Sequence, residues 1–213
     1  MSSPPEITLS LVQSEDDFLE IAALYDLAFK QSPIMDLIVG PPNIDASAAH
    51  LCHVWKTDPE TRFMKATTPS GRIVGFAKWN FFSNSGPQNP FPTEFPPEGN
   101  PELGKWLFGE FTRIMNEKML GKKYVYMHIL VIDPEFQRQG IGKRMLEWGL
   151  KLVDDEGLET YIDASPEGKG LYEKLGWKTI NVLDVDLKKW GGKDEISTAY
   201  SMIRPVGGSS VRA

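Results

Sequence analysis

The sequence predicts a mixed α/β domain, a central β-sheet flanked by helices, and three observations carry that prediction. Apolar strand-like stretches alternate along the chain with segments whose apolar residues recur at helical spacing. One stretch, "YVYMHILVI" (124–132), is apolar or aromatic on both faces, as a central buried strand should be. The 213 residues, 41% hydrophobic and 24% charged, suffice for one substantial core and are ordinary for a globular chain.

The elements follow in order. Residues 7–12 read as a first strand, and Ser14, with Asp17 three residues on, as a helix start. Phe18, Ile21, Ala22, Tyr25, Ala28 and Phe29 then share one helical face. "SPIMDLIVGPP" breaks that pattern, and a second helix is expected over about 45–55. Two strands, 62–67 and 72–82, flank "TPSG", whose residues suit a tight turn. Residues 83–101 hold six of the sixteen prolines, which excludes helix and central strand. That segment is either a long surface loop packed by Phe91 and Phe95, with a substrate lid as one role, or a disordered linker. A helix resumes near Glu102, with Leu107, Phe108, Phe111, Ile114, Met115 and Met119 on its apolar face and Gly121 as its stop. After the 124–132 strand come a glycine turn, a helix to about 155, the short strand "TYID", and a helix through "GKGLYEKLG". Strands near 177–187 and 196–204 complete a single domain over 1–206, with 83–101 as an insertion and 207–213 as a flexible tail.

Composition bounds the function. A net charge of −6 argues against a general nucleic-acid binder, which needs Lys and Arg to displace counterions. No apolar run approaches the roughly 20 residues that span a bilayer, and the N-terminus lacks the pattern of a secretory signal. With the single cysteine, Cys52, this leads us to expect no membrane partner and a cytoplasmic location, the nucleus remaining open. No metal is expected: His50 and His53 sit three apart, but no third ligand accompanies them.

The informative stretch is "HILVIDPEFQRQGIGKRML" (128–146). A strand entering a glycine-containing turn and then a helix aims unpaired N–H groups at one spot, which suits phosphate. Gly140 and Gly142 let an anion approach the backbone, and Arg138, Lys143 and Arg144 are expected to surround that spot with positive charge. The Walker pattern is absent, and Met145 stands where a dinucleotide fingerprint needs its third glycine.

"QRQGIG" (137–142) resembles the Q/R-x-x-G-x-G/A signature of the GCN5-related N-acetyltransferase (GNAT) superfamily. About thirty residues later "LYEKLGW" (171–177) resembles its second hallmark, and "ASPEGKGLYEKLGW" is similar in style to many fungal members. The resemblance is specific over 124–177, and the element order extends it over most of the chain. It implies acetyl-coenzyme A as cosubstrate. The pantetheine arm would pair with the backbone of Leu130, Val131 and Ile132. The pyrophosphate would lie against Gln137, Arg138, Gln139, Gly140, Ile141, Gly142 and Lys143. Where many members carry Asn this chain has Ser165, a shorter hydrogen-bonding group toward the same arm.

Attack of an amine on a thioester needs a neutral nucleophile, a polarised carbonyl and a proton for the departing thiolate. The resemblance gives the acid role to Tyr172. Strand alternation puts Tyr124, Tyr126, His128, Leu130 and Ile132 on one face, and His128 is the candidate base, either that or a buried structural histidine. Glu110 and Glu117 are possible stand-ins. Phe29, Ile34, Met35, Phe91, Phe95 and Trp106, with Asp36 for a cation, favour a small, partly hydrophobic amine as acceptor. The alternatives are a protein N-terminus or lysine as acceptor, or a non-catalytic domain that binds acyl-coenzyme A.

Overall fold

A computed structural model describes residues 6–84, 86, 90–193 and 195–208. Its elements are β1 (Thr8–Leu11), α1 (Asp17–Phe29), α2 (Pro33–Val39), α3 (Ile44–Thr57), β2 (Thr61–Thr67), β3 (Ile73–Phe82) and α4 (Pro101–Met119). They continue with β4 (Tyr124–Ile132), α5 (Ile141–Asp155), β5 (Glu159–Ala164), α6 (Pro166–Lys174), β6 (Lys178–Asp186) and β7 (Ile196–Arg204). The seven strands form one mixed sheet in the order β1-β2-β3-β4-β5-β7-β6. The expected α/β class, a central sheet flanked by helices, is what the chain adopts.

Contacts cluster in two units, and β4 and α5 run through the boundary between them. The first unit comprises residues up to 31, 42–81 and 127–152. β1 and β2 pair antiparallel, as do β2 and β3, in a register that sets Thr61 opposite Asn80 and Phe63 opposite Lys78. One core joins Phe18, Ile21 and Ala22 of α1 and Leu51 of α3 to Phe63, Phe76, Ile129 and Val131 of the strands. The other side of β3 meets α5. A Cβ on Gly75 would lie 2.9 Å from Met145 Sδ and 3.0 Å from Ile132 Cδ1, and one on Gly149 would run into the Trp79 ring. Glycine at both positions lets helix and sheet approach closely.

The second unit comprises 32–41, 82–126 and the residues from 153 on. Its core gathers Ile34 and Ile38 of α2, Leu103, Leu107, Phe111, Met115 and Met119 of α4, and Tyr124, Tyr126 and Tyr161 of the strands. β4 and β5 run parallel over Tyr124↔Glu159 to Tyr126↔Tyr161, and β7 pairs antiparallel with both β5 and β6. Arg204, 4% exposed, closes this unit with a fork onto Asp154 at 2.7 and 2.9 Å and an Nε–H bond to Leu175 C=O at 3.0 Å.

Two expectations change. "PIMDLIV", expected only to break the pattern, is the short helix α2: Pro33 fits its first turn, and Gly40 ends it at φ +69°. Helix α1 begins at Asp17 rather than at Ser14, whose hydroxyl instead accepts from the Asp16 N–H at 3.2 Å. Within the proline-rich segment, residues 85 and 87–89 lie outside the described residues. The described part follows the packed-loop reading. Phe91 is 6% exposed against Phe108, Phe111 and Tyr126, and Phe95 stacks on Phe108 at 5.4 Å.

Candidate functional site

The turn between β4 and α5 is braced by its own side chains. The Asp133 carboxylate, 4% exposed, accepts from the Glu135 N–H at 2.9 Å and from Arg72 Nη2 at 2.5 Å. Gln137 Nε2 donates to Ile132 C=O and Gln139 Nε2 to Glu135 C=O, each at 3.1 Å. Arg138 has φ +61°, the sole non-glycine with a positive φ among the described residues, and Gly140 follows at φ +82°. Such backbone costs any L side chain energy and persists where surrounding structure fixes it.

A Cβ on Gly140 would meet nothing within 4 Å, so the space above this turn is open. The first hydrogen bond of α5 runs from the Arg144 N–H to Gly140 C=O at 3.0 Å. The N–H groups of Ile141, Gly142 and Lys143 precede it, and the helix offers them no carbonyl of its own. Open space, forward-pointing amides and the positive end of a fifteen-residue helix form an anion cradle.

The expected ring of cations is reduced. Arg144 turns away and donates through Nη2 to Ile7 C=O at 2.7 Å, tying the chain entering β1 to α5. Lys143 Nζ lies 3.4 Å from Glu147 Oε1, one helical turn on. Arg138 is exposed on the turn itself.

The strand before the turn departs from strict alternation. On β3, Phe76, Lys78 and Asn80 share the face toward α1 and α3, and Gly75 and Trp79 the face toward α5. His128 Nδ1 lies 3.3 Å from Asn80 Oδ1, and Ile129 and Val131 pack with Phe76, whereas Ile132 meets the Gly75 face. His128 and Ile132 therefore face opposite sides, contrary to the expectation. Two consecutive residues, His128 and Ile129, share one side, as at a β-bulge.

His128 is half-buried, and its pKa falls well below the ordinary histidine value, first by burial and then by Lys78 and His50. It is a neutral imidazole at physiological pH. Lys78, 8% exposed on β3, is itself pushed down to about 8 by burial, with Asp58 opposing the shift. The sequence reading missed Lys78 and Asn80. The signal was available: they are polar residues inside "IVGFAKWNFF", a strand whose every residue is buried.

Tyr172 and Ser165 belong to the second unit. Tyr172, on α6, is 6% exposed, with its ring edge-on to Trp177 at 5.6 Å, and burial raises its pKa above the usual phenol value. A Cβ on Gly168 would come within 2.8 Å of that ring, so glycine there leaves it room. Ser165 caps α6, its Oγ accepting from the Gly168 N–H at 3.3 Å while its hydroxyl keeps a proton to donate. Half-buried Asp163 on β5 accepts from Ser201 Oγ at 2.6 Å, Tyr161 OH at 3.1 Å and Tyr126 OH at 3.4 Å, and its desolvation pushes it up to about 7. Glu110 and Glu117 are both engaged by Arg113 on α4. Ile34 and Phe91 lie in the core, with Met35 and Phe95 packed against it, so these four are spent on packing; Trp106 stays 37% exposed. No group of three or more metal-ligating side chains is found among the described residues, and none of their helices is long and apolar enough to cross a membrane.

Residues 111–186 match the family described as "Acetyltransferase (GNAT) domain". An uncharacterized N-acetyltransferase of Schizosaccharomyces pombe is 31% identical over 163 residues, covering 61% of this chain and 64% of that one. The chain spans between 34% and 64% of the length of the curated relatives it matches. Among solved structures, arylalkylamine N-acetyltransferase 2 of Aedes aegypti superposes with a TM-score of 0.68 at 16% identity, over 94% of this chain and 99% of that one. A phosphinothricin acetyltransferase of Sinorhizobium meliloti in complex with AcCoA gives 0.58 at 15% identity, over 97% and 92%.

Proposed function

We propose, for a chain whose residues 111–186 match the GNAT acetyltransferase domain, that it transfers an acetyl group from acetyl-coenzyme A to the amine of a small, partly hydrophobic molecule. The observation that carries this reading is the anion cradle: open space at Gly140, with the N–H groups of Ile141, Gly142 and Lys143 ahead of the first bond of α5. Pyrophosphate would be held there, with Gln137, Arg138 and Gln139 shaping the turn. The resemblance in the sequence makes the backbone of Leu130, Val131 and Ile132 the segment to pair with the pantetheine arm, and the Ser165 hydroxyl a further donor to it.

The cosubstrate supplies the acetyl group as a thioester. His128, neutral at physiological pH, takes a proton from the amine as the C–N bond forms and the C–S bond breaks. Tyr172, kept protonated by burial, gives a proton to the departing thiolate. The small-amine preference draws on the exposed indole of Trp106 and on the shared fold with the arylalkylamine enzyme.

The test is thiol release from acetyl-coenzyme A with a panel of arylalkylamines and small aliphatic amines, alongside peptides carrying a free N-terminus or lysine. Turnover with the small amines is expected. Turnover with peptides alone would refute the small-amine acceptor, and binding of acetyl-coenzyme A without turnover would leave a non-catalytic acyl-coenzyme A domain.

A further inference from the structure

We propose that Asn80 fixes the tautomer and ring orientation of His128, as the last link of a hydrogen-bond chain from Asp58 through Thr61. The proposal deepens the acetyltransferase reading and rests on it for its catalytic meaning, since His128 is the base there.

The chain can be read proton by proton. Asp58 follows the end of α3; its Oδ1 accepts from the Glu60 N–H at 2.9 Å, and its Oδ2 lies 2.5 Å from Thr61 Oγ1. A carboxylate only accepts, so the hydroxyl proton of Thr61 points at Asp58. Thr61 Oγ1 must then accept from its other neighbour, Asn80, whose Nδ2 lies 2.6 Å away. This settles the Asn80 amide, because the flipped amide would set two acceptors face to face. Asn80 Oδ1 therefore faces His128 Nδ1, at 3.3 Å, and an amide oxygen only accepts. The imidazole proton is thus on Nδ1, and Nε2 carries the lone pair.

The parts of the chain are held by the fold. Thr61 and Asn80 are each 7% exposed and are direct partners across β2 and β3. Buried polar groups in such a pair are costly to leave unmade, so the network resists rearrangement. It also acts where the strand alone does not fix the ring, at the β-bulge of His128 and Ile129. Lys78 on β3 and His50 on α3 also face His128, and both disfavour its imidazolium. Asp58 reaches the ring only through Thr61 and Asn80, so it orients His128 without cancelling the effect of those two neighbours. Asn80 is by this account a positioning residue.

The experiment is nitrogen-detected NMR of the His128 ring in the full chain, for the wild type, Asn80→Ala and Thr61→Val. The wild type is expected to show Nδ1–H, and both variants a shift toward the Nε2–H form. Alignment of a general base contributes a share of its roughly 10²–10⁴-fold effect, so kcat is expected to fall at least about ten-fold in Asn80→Ala while KM for acetyl-coenzyme A holds. Asn80→Asp, which puts a carboxylate against Nδ1–H, is expected to move the acid limb of the kcat profile to higher pH. An Nε2–H wild type, or a tautomer unmoved in both variants, would overturn the chain. If Asn80→Ala does not fold, Thr61→Val tests the same link, with Thr61→Ser as its rescue. A tautomer shift without any change in turnover would leave the chain standing and remove His128 from the chemistry, which separates the two readings.

Discussion

Gly140 offers the sharpest separation of backbone, space and charge. At φ +82° any L residue costs about 1–2 kcal/mol, and the Cβ itself meets nothing within 4 Å. Gly140→Ala and Gly140→Glu therefore carry the same backbone cost and no clash at Cβ. For a chain of this size that corresponds to a melting point lower by roughly 2–8 °C in both. Binding should divide them. A carboxylate about 4 Å from a phosphate oxygen, at an effective dielectric near 20, costs about 4 kcal/mol per charge pair. Salt screening at this exposed turn trims that, leaving a loss of affinity on the order of 10²-fold for Gly140→Glu. The assay is calorimetric titration with acetyl-coenzyme A, paired with thermal melts by circular dichroism. Two variants of equal melting point, of which the glutamate binds as tightly as the alanine, would refute the placement of pyrophosphate at this turn.

Other predictions follow from single residues. Tyr172→Phe removes a buried phenolic proton donor with little change of volume, so kcat should fall about 10²-fold while the melting point moves little; full activity in steady-state kinetics would discharge Tyr172 as the acid. Asp163 is pushed up to about 7, so the folded state holds its proton more tightly than the unfolded chain. Its contribution to stability is full below the ordinary carboxylate range and is lost as pH rises through about 7. Urea unfolding of the wild type should weaken by on the order of 3 kcal/mol from pH 4 to pH 8, and Asp163→Asn should flatten that slope. Asp154 behaves oppositely: its hydrogen bond from Arg204 pulls its pKa down, so its contribution is present above the ordinary carboxylate range and is lost as pH falls through its folded value. Asp154→Ala leaves the Arg204 guanidinium buried without its anion and should cost about 3 kcal/mol at pH 7 by the same unfolding measurement.

Much of the fold was legible because its signals are local. The strand before the cradle was visible as an apolar run, the cradle as two glycines at a helix mouth, and α4 as a helical stripe beginning after the prolines. Helix α2 was legible too, through Pro33 at its start and Gly40 at its end, but seven residues are too few for a periodic pattern to stand out. What stayed hidden depends on contacts between distant segments. The diversion of Arg144 to Ile7 spans 137 residues, and the partner of His128 is set by how β3 lies beside β4. The bulge was hidden for another reason. Period-two reading assumes an unbroken strand, and in a strand apolar on both sides the lone imidazole of His128 has no second polar residue in phase with it to betray the slip.

That last property bears on how the slip stays in place. In "YVYMHILVI" neither phase is reserved for solvent, so moving the extra residue one step along would cost little hydrophobic burial. His128 is the one ionisable group there besides the tyrosines, and its ring is tied to Asn80. It serves as the registration mark of β4: hydrocarbon would accept either setting, and the contact with Asn80 favours one of them. The residue assigned to chemistry is thus also the residue that tells the strand where to turn over.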